Sequence, residues 1–115
     1  RRLGKTEMQV SVVGFGGIPL QRIEAPAAEK VVRRAIELGI NFFDTARAYT
    51  DSEEKLGAAL KNKREQVIIA TKSMARGKKG MAADIEKSLR TMDVDYIDLY
   101  QPWSRSWPRT APLPL

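Results

Sequence analysis

The sequence predicts an α/β fold whose strands form a parallel sheet. Short apolar runs alternate along the chain with segments of helical periodicity, and strands that alternate with helices pair in parallel. One run, Val67-Ile68-Ile69-Ala70-Thr71-Lys72, is almost continuously apolar, the pattern of a strand covered on both faces. A polar residue also stands at or just beyond the end of successive runs: Asp44, Tyr49 and Lys72. Parallel β/α sheets carry their chemistry at the C-terminal ends of the strands.

The elements follow in order. Between Arg2 and Ser11, Gly4-Lys5-Thr6 separates two short stretches that can pair as a hairpin. Val12-Val13-Gly14-Phe15-Gly16-Gly17 reads as a strand that runs into a glycine-rich loop. Pro26 stands where a helix can begin, since proline is favoured in the first turn. Ala28, Val31, Val32, Ala35 and Ile36 repeat at the spacing of one helical face, and Gly39 suits the left-handed stop. The strand Ile40-Asn41-Phe42-Phe43-Asp44 follows at once. Asp51 reads as a helix cap with Glu54 three positions on, ahead of the short apolar face of Leu56, Ala59 and Leu60. After the Val67 to Lys72 strand, Met81, Ile85, Leu89 and Met92 form the stripe of a third helix. Tyr96-Ile97-Asp98-Leu99-Tyr100 is the fourth strand. The expected order is a hairpin, then β-α-β-α-β-α-β.

Residues 1–101 are expected to form one compact unit and residues 102–115 a tail. The tail holds four of the six prolines, both tryptophans and no acid. Pro102, Pro108, Pro112 and Pro114 are incompatible with a regular helix or a central strand, so the tail is expected to be disordered.

Composition narrows the function classes. The chain has 115 residues, 43% hydrophobic and 30% charged, a globular balance. No apolar run nears the ~20 residues of a membrane span. Arg1-Arg2-Leu3-Gly4 is followed by no leader-like apolar stretch. Cysteine and histidine are both absent, which excludes disulfides, thiolate or histidine metal sites and Ser-His-Asp catalysis. A cytoplasmic protein without metal is expected. The net charge is +6, and residues 1–101 carry +4 once Arg105 and Arg109 are set aside. Acids are interleaved with the basic residues, so a mixed solvated surface is a better reading than a nucleic-acid patch.

Gly14-Phe15-Gly16-Gly17 invites comparison with a dinucleotide fingerprint. Pro19 occupies the third glycine's place, so the pattern fails. What remains is a tight turn at which Gly16 and Gly17 would let a substrate or cofactor approach the backbone closely. Asp44, Tyr49 and Lys72 each have an ordinary reading taken singly: a turn former, a half-buried amphipathic residue and a surface lysine. Together they bring an acid, a phenol and an ammonium to one rim. A free phenol, with a pKa near ~10, is a poor acid at neutral pH. A nearby ammonium stabilises its phenolate, and a carboxylate paired with the ammonium holds that charge in place. The group suits proton donation to a carbonyl oxygen.

Residues 1–101 closely resemble the N-terminal half of the aldo-keto reductases. The matching stretches are Val10 to Gly17, the long run Ala35 to Tyr49, Ser52-Glu53-Glu54-Lys55-Leu56-Gly57, Ile69-Ala70-Thr71-Lys72 and Asp95 to Gln101. The resemblance implies part of a (β/α)₈ TIM barrel, about four β/α units preceded by a β-hairpin. It also implies hydride transfer from a nicotinamide cofactor, usually NADPH, to an aldehyde or ketone. It makes Tyr49 the general acid, Lys72 the residue that eases its ionisation and Asp44 the partner of Lys72. Gly16, Gly17, Asp44 and Lys72 would border the cofactor.

The family's fourth catalytic residue is a histidine two positions after the Tyr-Gln that ends the fourth strand. Trp103 stands there in this chain. A complete barrel needs ~250 residues, and most cofactor phosphate contacts would lie in its second half. The 115-residue chain is therefore expected to be a truncated form with little activity of its own. The alternative is a non-catalytic fragment or interaction module that keeps the fold signature. The expected partner is a small carbonyl substrate, with no nucleic acid and no membrane. Open sheet edges would favour self-association.

Overall fold

The structure, a computed structural model, describes residues 1–102. The elements are β1 (Phe15–Gly16), a short 3₁₀ helix (Ile18–Arg22), α1 (Ala25–Glu37), β2 (Phe42–Asp44), α2 (Ser52–Ala59), a second 3₁₀ turn (Arg64–Gln66), β3 (Ile68–Ser73), α3 (Lys78–Met92) and β4 (Leu99–Pro102). Of the expected tail, residues 102–115, all but Pro102 lie outside the described residues.

The strands form one four-stranded sheet in the order β1-β2-β3-β4. Every pair is parallel, with Gly16 opposite Asp44, Asp44 opposite Ala70, and Lys72 opposite Gln101. Sequence neighbours are spatial neighbours, each joined by a helical crossover. This is the arrangement of a partial (β/α)₈ barrel, as the sequence predicts. The N-terminal hairpin is reduced to one antiparallel bridge between Arg2 and Gln9, supported by Leu3 N–H donating to Met8 O at 2.9 Å and Val10 N–H to Arg1 O at 2.7 Å.

Proline in the first turn opens α1. At its other end Gly39 adopts φ +92°. Its N–H donates to Ile36 O and the Ile40 N–H to Ala35 O, both at 3.0 Å, which satisfies the last carbonyls. Ala28, Val32 and Ala35 face the core, where they meet Leu20, Phe43, Leu56, Ala59, Leu60, Val67, Ile69 and Met92. Val31, expected on the same face, is exposed. The buried stripe is narrower than the sequence pattern implies and is centred on the side that meets α2.

Side chains alternate across the strands. Phe43, Ile69, Thr71 and Ser73 are all buried, with Phe43 and Ile69 in the core beneath the helices. Asp44 and Lys72 belong to the opposite parity and share the other face.

Two strands begin three residues later than the sequence expectation, and side-chain hydrogen bonds explain both. Val12 and Val13 are exposed rather than in a strand. Ser11 is tied instead to Asn41, its N–H donating to Oδ1 at 2.6 Å. Its hydroxyl donates to Val13 O at 2.6 Å, a local turn that delays β1 to Phe15. The fourth strand begins at Leu99, not Tyr96. The Tyr96 carbonyl accepts from Arg64 Nε and Nη2 at 3.3 and 2.8 Å, and the Arg64 guanidinium stacks 3.8 Å over the Tyr96 ring. Pro102, expected to open the tail, instead ends β4, a place a strand tolerates in proline when its N–H side is unpaired. Asp51 makes no side-chain cap to α2. Its carboxylate pairs with Lys55 Nζ at 2.9 Å, and that ammonium holds the Asp51 carboxyl below its ordinary range.

Candidate active site

Asp44 is the last residue of β2, and Lys72 lies next to the end of β3. Parallel pairing sets Asp44 opposite Ala70, so Lys72 is two residues further along the neighbouring strand on the same face. Its Nζ donates to Asp44 Oδ1 at 2.9 Å and Oδ2 at 2.8 Å. A third bond runs to the Thr45 carbonyl at 2.9 Å. Three oxygens thus hold the ammonium, which fixes a side chain that is otherwise flexible.

Tyr49 reaches the same rim through the β2–α2 loop. The loop keeps to the edge of β3 beyond the strand itself: Thr45 N–H donates to Ala70 O at 2.9 Å and Arg47 N–H to Lys72 O at 3.0 Å. Two turns follow, closed by Tyr49 N–H to Ala46 O at 3.1 Å and Ser52 N–H to Tyr49 O at 2.8 Å. Tyr49 is 9% exposed, and Lys72 Nζ lies 5.2 Å from its ring centroid. Cation and phenol are therefore neighbours, and the same cation holds the carboxylate.

Gly17 and Gly16 behave differently. A Cβ at Gly17 would fall 2.7 Å from Ser52 Oγ and 2.8 Å from the Asp44 carbonyl. Its close approach is to the protein itself, and its N–H donates to Asp44 O at 2.7 Å. A Cβ at Gly16 would meet nothing within 4 Å, so the backbone there is open beside Asp44.

Sequence reasoning missed the residues that hold the loop. Ser52 Oγ donates to Gly17 O at 2.9 Å, which uses its one proton, so Thr45 Oγ1 is the donor in the 2.8 Å contact between the two hydroxyls. Glu53 is 1% exposed and receives Arg47 Nη1 at 2.5 Å, Thr71 Oγ1 at 2.7 Å and Ser88 Oγ at 2.8 Å. The signal was present in the spacing. Glu53, Leu56, Gly57 and Leu60 lie at i, i+3, i+4 and i+7, so the buried stripe of α2 includes an acid. An open cleft of about 450 Å³, lined by Gly57, Arg64, Asp93 and Tyr96 among others, lies at the opposite end of the sheet, away from the Asp44–Lys72 pair.

Residues 12–107 match the model of the aldo/keto reductase family. The chain belongs to the aldo/keto reductase family. L-galactose dehydrogenase of Arabidopsis thaliana is 42% identical over 115 residues, which cover 86% of this chain and 36% of that enzyme. The holo form of the aldo-keto reductase AKR11C1 from Bacillus halodurans superposes with a TM-score of 0.81 at 34% identity, over 89% of this chain and 39% of that one. An aldo-keto reductase of Klebsiella pneumoniae in complex with NADPH gives a TM-score of 0.77 at 30% identity, over 84% of this chain and 36% of that one. The chain spans little more than a third of the length of the curated relatives it matches. Among the described residues no helix is long and apolar enough to cross a membrane.

Proposed function

We propose that residues 1–101 are the proton-transfer half of an NAD(P)H-dependent reductase that converts an aldehyde or ketone to an alcohol. The observation that carries the reading is the Lys72 ammonium, gripped by both Asp44 oxygens and lying 5.2 Å from the Tyr49 ring centroid. Carbonyl reduction adds a hydride to carbon and a proton to oxygen. A nicotinamide cofactor, when bound, supplies the hydride. Tyr49 Oη supplies the proton. As its O–H bond breaks, negative charge develops on the phenol oxygen, and the Lys72 ammonium beside the ring offsets it. Asp44 keeps the ammonium charged and oriented. In the oxidative direction the Tyr49 phenolate takes the alcohol proton back.

The residues present suit the reacting end of such a cofactor. Gly16 offers open backbone beside Asp44, and Asp44 and Lys72 would border the ring. The NADPH complex of the Klebsiella relative supports NADP(H) as the cofactor. The 115-residue chain alone is proposed to bind it weakly and to turn over little. It spans only part of its relatives' length, and Trp103 stands where the resemblance places a histidine. A soluble cytoplasmic setting and a small carbonyl partner complete the proposal. β1 and β4 each pair on one side among the described residues, which gives self-association an available route.

The reading is tested by joining residues 1–101 to the C-terminal half of a relative, with Trp103→His at the junction. NADPH-dependent reduction of an aldehyde should appear in the chimera, and Lys72→Met should remove most of it. An active chimera that is indifferent to Lys72→Met would overturn the reading. Fluorescence titration of the short chain should show no saturation at low micromolar NADPH.

A further inference from the structure

We propose that Glu53 is a positioning residue that sets the separation between Tyr49 and Lys72. The proposal rests on the proton-transfer reading above and adds to it the device that holds two of its members together. Glu53 is held by Arg47, Thr71 and Ser88. It lies on the helix-covered side of the sheet, whereas Asp44 and Lys72 share the other face.

Its carboxylate nevertheless grips the residue next to Lys72 and the residue two before Tyr49. Thr71, which donates to Oε1 at 2.7 Å, precedes Lys72 in β3. Arg47, which donates to Oε2 at 2.5 Å, stands two residues before Tyr49 in the loop. Ser88 of α3 adds a second bond to Oε1 at 2.8 Å. One rigid group thus ties the strand that carries the ammonium to the loop that carries the phenol, and braces both against α3.

The burial is otherwise difficult to account for. Glu53 is 1% exposed, and an unpaired carboxylate there would be strongly unfavourable. A leucine would fill the same stripe of α2 at no such cost. What a leucine lacks is a means of holding Arg47. The loop needs that hold, because Thr50 adopts φ +40°, an uncommon conformation for a residue with a Cβ. Arg47 also donates to Thr91 at 3.3 Å, so its guanidinium bridges the loop to two helices.

The test uses the 115-residue chain and reads geometry, not turnover. Through-space NMR contacts between the Tyr49 ring and the Lys72 side chain report their separation. Amide exchange of residues 46–50 reports the hold on the loop. Glu53→Gln removes the charge that draws Arg47 and leaves it at most a neutral carbonyl oxygen as acceptor. The Tyr49–Lys72 contact should weaken, and exchange at 46–50 should quicken by about tenfold or more, with β3 unchanged. Arg47→Ala, in which Glu53 keeps its bonds to Thr71 and Ser88, should do the same. It carries the test if Glu53→Gln does not fold. Arg47→Lys keeps a cation opposite the carboxylate and should retain the contact. A purely structural role would lower the melting temperature of Glu53→Gln and Arg47→Ala while leaving the Tyr49–Lys72 contact intact well below it. That outcome overturns the proposal. Because no turnover is measured, failure here leaves the roles of Tyr49 and Lys72 standing, and failure of those roles leaves this result readable.

Discussion

Gly57→Ala should destabilise the fold, although alanine is the better helix former. An ideal Cβ on Gly57 lies 2.3 Å from the Met92 carbonyl oxygen, 2.5 Å from its Cα and 2.7 Å from its carbonyl carbon. Carbon atoms in contact settle at ~3.5 Å or more, so α2 and α3 would have to part by about 1 Å. The obstructing atoms are backbone, and no rotamer change relieves them. Overpacking of this kind costs ~1–3 kcal/mol, with the upper end apt for a backbone clash. Helix propensity returns ~1 kcal/mol, which leaves a net loss of ~2 kcal/mol. For a domain of this size the melting temperature should fall by about 10 °C. Circular dichroism melts of parent and variant decide the matter, with urea unfolding as a second measure. A Gly57→Ala protein that melts at or above its parent would show that the two helices do not meet through this glycine.

Gly17→Ala should also destabilise, because its Cβ would collide with Ser52 Oγ and the Asp44 carbonyl. Gly16→Ala, with open space at its Cβ, should melt within ~0.5 kcal/mol of the propensity expectation. Equal losses from the two would contradict the assigned packing. Tyr100 offers a pH test. Burial pushes its phenol above the ordinary 10.0, although the hydroxyls of Ser73 and Ser88 act in the opposite direction. Its Oη is covered and has no partner in hydrogen-bonding geometry among the described residues. A raised value means that the folded state holds the proton more tightly. The resulting stability is complete below the unfolded phenol's pKa and is lost as pH rises through the folded value. Urea midpoints should therefore drop above pH ~10, and Tyr100→Phe should shallow that drop without loss at neutral pH. An unchanged alkaline slope in the variant would assign the drop to other groups.

The sequence showed the cluster of Asp44, Tyr49 and Lys72 more readily than the supports beneath it. Asp44 and Lys72 were legible because a strand end fixes both position and face. Two residues of parallel register then place the ammonium on the carboxylate. Tyr49 was legible as a loop residue, yet its approach to Lys72 depends on contacts that local patterns do not encode. Thr45, Ser52 and Gly17 are linked across 35 residues of sequence, and Arg47 looks like an ordinary surface charge. The strand starts were misplaced for a related reason. Val12-Val13 and Tyr96-Ile97 have strong strand preferences, but hydrogen bonds to Asn41 and from Arg64 hold the chain out of the ladder there. Asp51 kept the position of a cap without its bond, since Lys55 one turn later is a stronger partner for a carboxylate than a backbone amide.

The central claim is that Tyr49 delivers the proton under the charge of Lys72. Its most direct test is the single-turnover rate of hydride transfer, followed by NADPH absorbance, in the chimera that carries residues 1–101 and Trp103→His. Tyr49→Phe keeps the buried ring and removes the transferable proton. The account predicts a fall of ~10²–10⁴-fold in that rate, with NADPH affinity unchanged. A Tyr49→Phe chimera that transfers hydride as fast as its parent would contradict it.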